Sequence, residues 1–123
     1  MTLNDYQVKA LETAQFPLCL VDSMTSVGIV TQRPAKWVYP VLGLTGEAGE
    51  VSDKFKKIMR DKHGVIDDTD KEDIKKELGD VLWYIAVIAD TLDIKLEDVA
   101  ITNTVKLKSR KERGKITGNG DNR

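Results

Sequence analysis

Two pairs of acidic residues in this chain share the same spacing. Glu47 and Glu50 stand three residues apart, and so do Glu77 and Asp80. Residues three apart lie on one face of a helix, so each pair would present two carboxylates in one direction. Four carboxylates in one cleft would repel one another, whereas hard cations such as Mg²⁺ take oxygen ligands and commonly bridge to substrate phosphates. The spacing therefore indicates a divalent-metal site.

Each acidic pair is embedded in an amphipathic helical pattern. Apolar residues recur at steps of four and three from Leu44 to Ile58 and from Ile74 to Leu92, which is typical of helices with one face on a core. Both acidic pairs precede their apolar stripe by one residue, so they flank a buried seam. Ordinary solvated surface acids are the alternative, but the repeated offset and spacing favour a shared site.

Composition indicates one soluble globular domain over residues 1–123. The chain is 41% hydrophobic and 32% charged with a net charge of −1, which gives no general attraction to nucleic acid or membrane. Cys19 is the only cysteine, so no internal disulfide is possible and a reducing compartment is expected. No signal-peptide pattern is evident at the N-terminus. We expect a cytoplasmic protein without nucleic-acid or membrane partners.

The periodicity predicts an all-α protein with a four-helix bundle core. Capping boxes are expected at Thr2 with Asp5 and at Thr69 with Glu72, opening the first and third helices. Residues 16–40 are less regular, and short helical turns or a long connection are both compatible with them. No strand is expected there, because Gly28 weakens the only candidate. The predicted helices cover residues 2 to about 14, 38 or 41 to 62, 69 to 92, and 96 or 97 to 113, and residues 115–123 form a glycine-rich tail.

Two features of the central helices indicate close packing. Gly43, Gly46 and Gly49 lie in the first half of the second helix, where each glycine costs roughly 1 kcal/mol relative to alanine. They indicate either tight helix crossing or close approach of a ligand. The run from Val81 to Ala89 is apolar all round, so it needs partners on all sides. This predicts an oligomer.

A basic stripe on the last helix could bind phosphate. Asn103, Lys106 and Arg110 follow one another at spacings of three and four, so they share a helix face. Arginine can bind phosphate through two parallel hydrogen bonds, and lysine acts as a point charge. A basic last turn can also simply complement the helix dipole. With only one histidine, a serine-histidine triad, a histidine-rich zinc site or a ferritin-like centre fits poorly.

Several segments together resemble the MazG-like nucleotide pyrophosphohydrolases of the all-α NTP pyrophosphatase superfamily. The resemblance extends over about residues 41 to 123, and residues 1–40 match it poorly. Its segments are Gly43-Leu-Thr-Gly-Glu-Ala-Gly-Glu-Val51, Glu77-Leu-Gly-Asp-Val-Leu-Trp-Tyr84, Asn103-Thr-Val-Lys-Leu107 with Arg110, and Gly118-Asn-Gly-Asp-Asn-Arg123.

This resemblance implies Mg²⁺-dependent hydrolysis of nucleoside triphosphates to monophosphate and pyrophosphate, with Mn²⁺ as a possible substitute metal, by a homodimer or homotetramer. Many members carry a further glutamate where this chain has Gly46, and this departure leaves the number of metals open. The resemblance assigns catalysis and metal binding to Glu47, Glu50, Glu77 and Asp80, and substrate binding to Asn103, Lys106, Arg110 and Tyr84.

Further residues are candidates for contact with the substrate. Lys54 shares the helix stripe of Glu47 and Glu50, and Arg123 ends a glycine-rich tail that can bend over a nucleotide. Trp37, Tyr39 or the first helix could select the base.

The implied mechanism is attack of water on the α-phosphorus, with two metals steadying the nucleophile and the leaving oxygens. One of the four acids, Glu50 among them, would accept the proton from the water. The alternative is a helical binding or assembly module that lost the chemistry, or a regulator that binds nucleotide without hydrolysis. The intact acids argue against that loss.

Overall fold

The structure, a computed structural model, describes residues 1–120 and contains four helices and one two-stranded sheet within that range. The predicted all-α architecture is confirmed, with a small hairpin added to it. The helices are α1 (Leu3–Leu11), α2 (Val38–Lys62), α3 (Asp68–Thr91) and α4 (Leu96–Glu112), and the hairpin strands are β1 (Leu20–Met24) and β2 (Val30–Pro34).

The helix ends follow local capping chemistry. The capping box of α1 is confirmed, because the Thr2 hydroxyl accepts from the Asp5 N–H at 3.0 Å while the Asp5 carboxylate accepts from the Thr2 N–H at 2.7 Å. The box predicted at Thr69 is wrong. Asp67 and Asp70 form it instead, with reciprocal bonds of 2.9 and 3.0 Å, so α3 begins at Asp68. These aspartates provide the same reciprocal hydrogen bonds two residues earlier in the chain.

The expectation of no strand between α1 and α2 was also wrong. β1 and β2 pair antiparallel, with Leu20 opposite Pro34 and Met24 opposite Val30. Gly28 lies in the connecting turn with φ +80°, a conformation that glycine adopts without steric cost. The glycine that weakened the strand prediction therefore enables the turn between two strands.

A small core joins α1, α3 and the start of α4. Ala10, Ala86 and Leu96 are buried together, and the Trp83 indole N–H donates to the Ala10 carbonyl at 3.0 Å. This bond satisfies the polar end of a large side chain whose ring packs against the core. It fixes α1 across the face of α3 that lies next to the second acidic pair.

Gln7 ties α1 to the turn between α3 and α4. Its side-chain amide donates to the Ile94 carbonyl at 2.9 Å, and its side-chain oxygen accepts from the Leu96 N–H, also at 2.9 Å. Gln7 is buried, so both backbone groups depend on this one side chain for their hydrogen bonds. The start of α4 is thereby held against α1.

Candidate functional site

α2 and α3 run antiparallel and bring the two acidic pairs together. Near the connecting turn, the Lys62 ammonium lies 2.7 Å from an Asp70 carboxylate oxygen. Further along, the Lys54 ammonium lies 3.2 Å from a Glu77 oxygen. The residue numbers rise along α2 as they fall along α3, so the first acidic pair meets the second across the helix interface.

Three of the four predicted acids converge. Glu47, Glu77 and Asp80 each offer a carboxylate oxygen, and these oxygens all lie within 4.8 Å of one another. Glu47 and Glu77 are half-buried and Asp80 is exposed, so the group opens to solvent on one side. Three hard oxygen donors from two helices suit Mg²⁺ or Mn²⁺, because both metals bind carboxylates and retain positions for water and phosphate.

Burial and mutual repulsion act on Glu47. Its burial, followed by the charges of Asp80, Glu77 and Glu50, raises the pKa of the Glu47 carboxyl above its usual range. Each cause disfavours the ionised carboxylate. A divalent cation between these acids would relieve the repulsion, so the electrostatics of the group favour metal binding.

Glu50 lies beside this group and is not one of its three members among the described residues. Its side chain is exposed, and its charge contributes to raising the pKa of Glu47. The spacing that indicated four converging acids brings three together and leaves the fourth at their edge.

Lys54 contacts the acid group directly. Its ammonium pairs with Glu77, and the two side chains are 33% and 18% exposed. This predicted substrate residue therefore lies next to the candidate metal ligands. In the nucleotide-free molecule its positive charge offsets part of their repulsion.

Two tyrosines border the acids. Burial raises the pKa of Tyr84, as do the nearby Tyr39, Glu47 and Asp80. Burial, followed by the charge of Asp80, raises the pKa of Tyr6. Both phenols therefore stay protonated at neutral pH. The sequence indicated Tyr84 as a site residue but not Tyr6. The regular spacing of Tyr6 from the later apolar residues of α1 indicated only that it packs on a helix face.

The basic stripe lies elsewhere on the chain. Asn103 and Lys106 line a groove along α4, whose remaining lining residues are Ile94, Asp98, Val99 and Thr102. Arg110 is buried, and its guanidinium donates to the Gly120 carbonyl at 3.3 Å. Among the described residues, two members of the stripe therefore line a groove that includes none of the three converging acids.

The remaining predicted residues have different surroundings. Trp37 precedes α2 and is 48% exposed. Tyr39 stacks on Phe16, with ring centroids 5.7 Å apart, and lies near enough to Tyr84 to affect its pKa. Arg123 lies outside the described residues. Of the proposed base contacts, Tyr39 lies near the acid group through Tyr84, and the first helix lies near it through Tyr6.

Comparison with known proteins supports a nucleotide-hydrolysing family. The MazG nucleotide pyrophosphohydrolase domain matches residues 40–114, which include all but the first two residues of α2 and the whole of α3 and α4. Over 124 aligned residues, the chain is 45% identical to the Gene 37 protein of Mycobacterium phage L5, with all of both chains covered. No solved structure matches the chain. None of the helices in residues 1–120 is long and apolar enough to span a membrane.

Proposed function

Because this chain belongs to the MazG nucleotide pyrophosphohydrolase family, we propose that it hydrolyses a nucleoside or deoxynucleoside triphosphate to the monophosphate and pyrophosphate. The observation that carries the proposal is the convergence of Glu47, Glu77 and Asp80 from two helices. Such a group fits a divalent cation, which we propose is Mg²⁺, with Mn²⁺ as a possible substitute. When bound, the cation would polarise the phosphate and lower the pKa of a coordinated water.

The neighbouring side chains divide the remaining tasks. Water oxygen forms a bond to the α-phosphorus while the bond from that phosphorus to the bridging oxygen breaks, and pyrophosphate leaves. Glu50, next to the ligand group and open to solvent, is suited to accept the proton from the water. Lys54 can exchange its Glu77 partner for a phosphate oxygen. Tyr84 can donate a hydrogen bond at the wall of the site.

We further propose that the working molecule is a homodimer or homotetramer. Large apolar side chains are exposed on α2 and α4, and monomeric proteins rarely leave wide apolar patches uncovered. Assembly would also explain how the basic stripe reaches substrate, because Asn103 and Lys106 line a groove separate from the acids of their own chain. The exposed apolar side chains include Leu42, Phe55, Met59, Ile101 and Val105.

Product analysis tests the proposed reaction. Purified protein with Mg²⁺ and a panel of ribo- and deoxyribonucleoside triphosphates should release monophosphate and pyrophosphate. D80A and E77A should lose at least a hundredfold in turnover while remaining folded. E72A is the control, because Glu72 lies on the same helix and pairs with the exposed Lys75.

The outcomes separate the alternatives. Wild-type turnover in both D80A and E77A would refute the site. Release of diphosphate and phosphate would refute attack at the α-phosphorus. Tight nucleotide binding by the wild type without turnover would instead support the non-catalytic binding module.

A further inference from the structure

Gly43 makes an unusually close approach to α3. A β-carbon added at Gly43 would lie 2.7 Å from the Tyr84 hydroxyl oxygen and closer still to two ring carbons. Non-bonded carbon atoms prefer separations of about 3.5–4.0 Å. The ring of Tyr84 therefore occupies the space that a side chain at position 43 would need.

The other glycines near the acids have no such neighbour. Among the described residues, no heavy atom beyond the local helix lies within 4 Å of a β-carbon added at Gly46, Gly49 or Gly79. The sequence left two explanations for Gly43, Gly46 and Gly49, either tight helix crossing or close approach of a ligand. Helix packing accounts for Gly43 alone, so its role differs from that of Gly46 and Gly49.

The contact between Gly43 and Tyr84 lies one helical turn away from the acid group. Gly43 lies four residues before Glu47 on α2, and Tyr84 lies four residues after Asp80 on α3. Residues four apart are neighbours along a helix face. Because the helices are antiparallel, the contact between Gly43 and Tyr84 is stacked directly on the pair formed by Glu47 and Asp80.

The ring of Tyr84 also contacts Trp83. Trp83 meets it edge-on, with centroids 4.8 Å apart and an interplanar angle of 88°. Trp83 is itself fixed through its hydrogen bond to Ala10. The position of the Tyr84 ring is therefore linked through Trp83 to α1.

We propose that Gly43 is a positioning residue whose missing side chain leaves a slot for the ring of Tyr84 and so places the phenol beside Glu47 and Asp80. This inference rests on the proposed function, since it assigns Gly43 to the same site. A side chain at position 43 would expel the ring or push α2 away from α3. Either change moves the phenol and alters the separation of the acids that would share a metal.

Two alanine variants on one helix test the proposal. G43A should lower the affinity of the nucleotide-free protein for Mn²⁺ at least fivefold and kcat/KM at least tenfold. In ultraviolet titration, one tyrosine of G43A should ionise closer to the usual pH than in the wild type. G49A is the matched control and should equal the wild type in metal affinity, because the added methyl meets open space and alanine favours the helix.

A second background keeps the test decisive if G43A folds poorly. Y84A removes the ring, so adding G43A to Y84A should change metal affinity less than twofold. Equal metal affinity of G43A and G49A would overturn the proposal. So would an undiminished effect of G43A in the Y84A background.

The failure of this inference is distinguishable from failure of the proposed function. A wild-type protein that neither binds Mn²⁺ nor hydrolyses nucleotide would refute the function itself. An active wild type with an equally active G43A would leave the function standing and remove only the role of Gly43.

Discussion

Replacing Lys54 with methionine should tighten metal binding and weaken substrate binding. The ammonium of Lys54 lies 3.2 Å from a Glu77 oxygen, and Glu77 is one of the three candidate ligands. A Mg²⁺ ion binds carboxylate oxygen at about 2.1 Å. An ammonium that kept its place would then lie within roughly 5 Å of the metal, and the two cations would repel each other.

The expected magnitude follows from charge and exposure. Charges of +2 and +1 at roughly 5 Å repel by about 1.7 kcal/mol in a medium with the dielectric constant of water. Lys54 is 33% exposed, so it can swing into solvent and lose only an exposed ion pair, worth about 0.2–1 kcal/mol. The net gain for Lys54→Met should be about 0.5–1 kcal/mol, or roughly two- to fivefold tighter metal binding.

Two measurements on the same variant should move in opposite directions. Calorimetric titration with Mn²⁺ in the absence of nucleotide should show tighter binding for Lys54→Met. Steady-state hydrolysis should show a higher KM, because the lysine no longer supplies a charge to the triphosphate. Lys56→Met is the control, since it removes the same charge from the same helix at a lysine that pairs with Asp53 and is 67% exposed.

One pattern of results would refute this reasoning. Weaker metal binding in Lys54→Met, with Lys56→Met unchanged, would mean that Lys54 assists the ligands and does not compete with the metal. Identical behaviour of both variants in both assays would make Lys54 an ordinary surface lysine.

Further outcomes are expected for stability, for pH dependence and for the basic stripe. Gln7→Met should lower the free energy of unfolding by about 1–3 kcal/mol in urea denaturation, because the buried N–H of Leu96 and the carbonyl of Ile94 lose their partner; a loss no larger than that of exposed Val8→Ala would contradict this. The pKa of Glu47 is raised, and a proton on its carboxylate competes with the metal. Metal affinity should therefore fall as pH drops through a window above the usual carboxylate range. Mn²⁺ titrations across pH should show that Glu47→Gln abolishes this dependence. The same raised pKa means that the folded, metal-free protein binds protons more tightly than the unfolded chain, so its stability should increase as pH falls through that window; unchanged thermal stability there would argue against repulsion among the acids. Arg110→Ala should reduce both stability and kcat/KM, because Arg110 is buried against the tail, whereas Lys106→Ala should reduce kcat/KM with little effect on the unfolding midpoint.

Local patterns in the sequence were sufficient for the helical architecture and for the acids that meet. The stripes from Leu44 and from Ile74 predicted two long helices, and the structure has α2 and α3 there. The predicted buried face is incomplete in this chain, because Phe55 and Leu78 of these stripes are exposed. The common offset of the acidic pairs from those stripes predicted that they would face one another. Such features depend on residues within a few turns of one helix, so helix periodicity alone determines them.

Sequence patterns gave the wrong prediction at two places where the same residues were compatible with two local structures. Thr69 with Glu72 and Asp67 with Asp70 are both plausible capping boxes, and the second also places two carboxylates next to Lys62. Gly28 argued against a strand because it was assumed to lie within one. In the structure it lies in the turn between two strands and supplies the positive φ of that turn. In both cases the deciding interaction came from a neighbouring element.

Only the tertiary structure decided which side chains complete the acid group. Glu50 stayed outside the three converging acids of the described residues, and the packing of α1 brought Tyr6 towards Asp80. The space above Gly43 was filled by Tyr84, whereas Gly46 stayed open. A one-dimensional pattern specifies which face of a helix is buried, but contacts between residues far apart in sequence depend on the angle and distance at which helices pack.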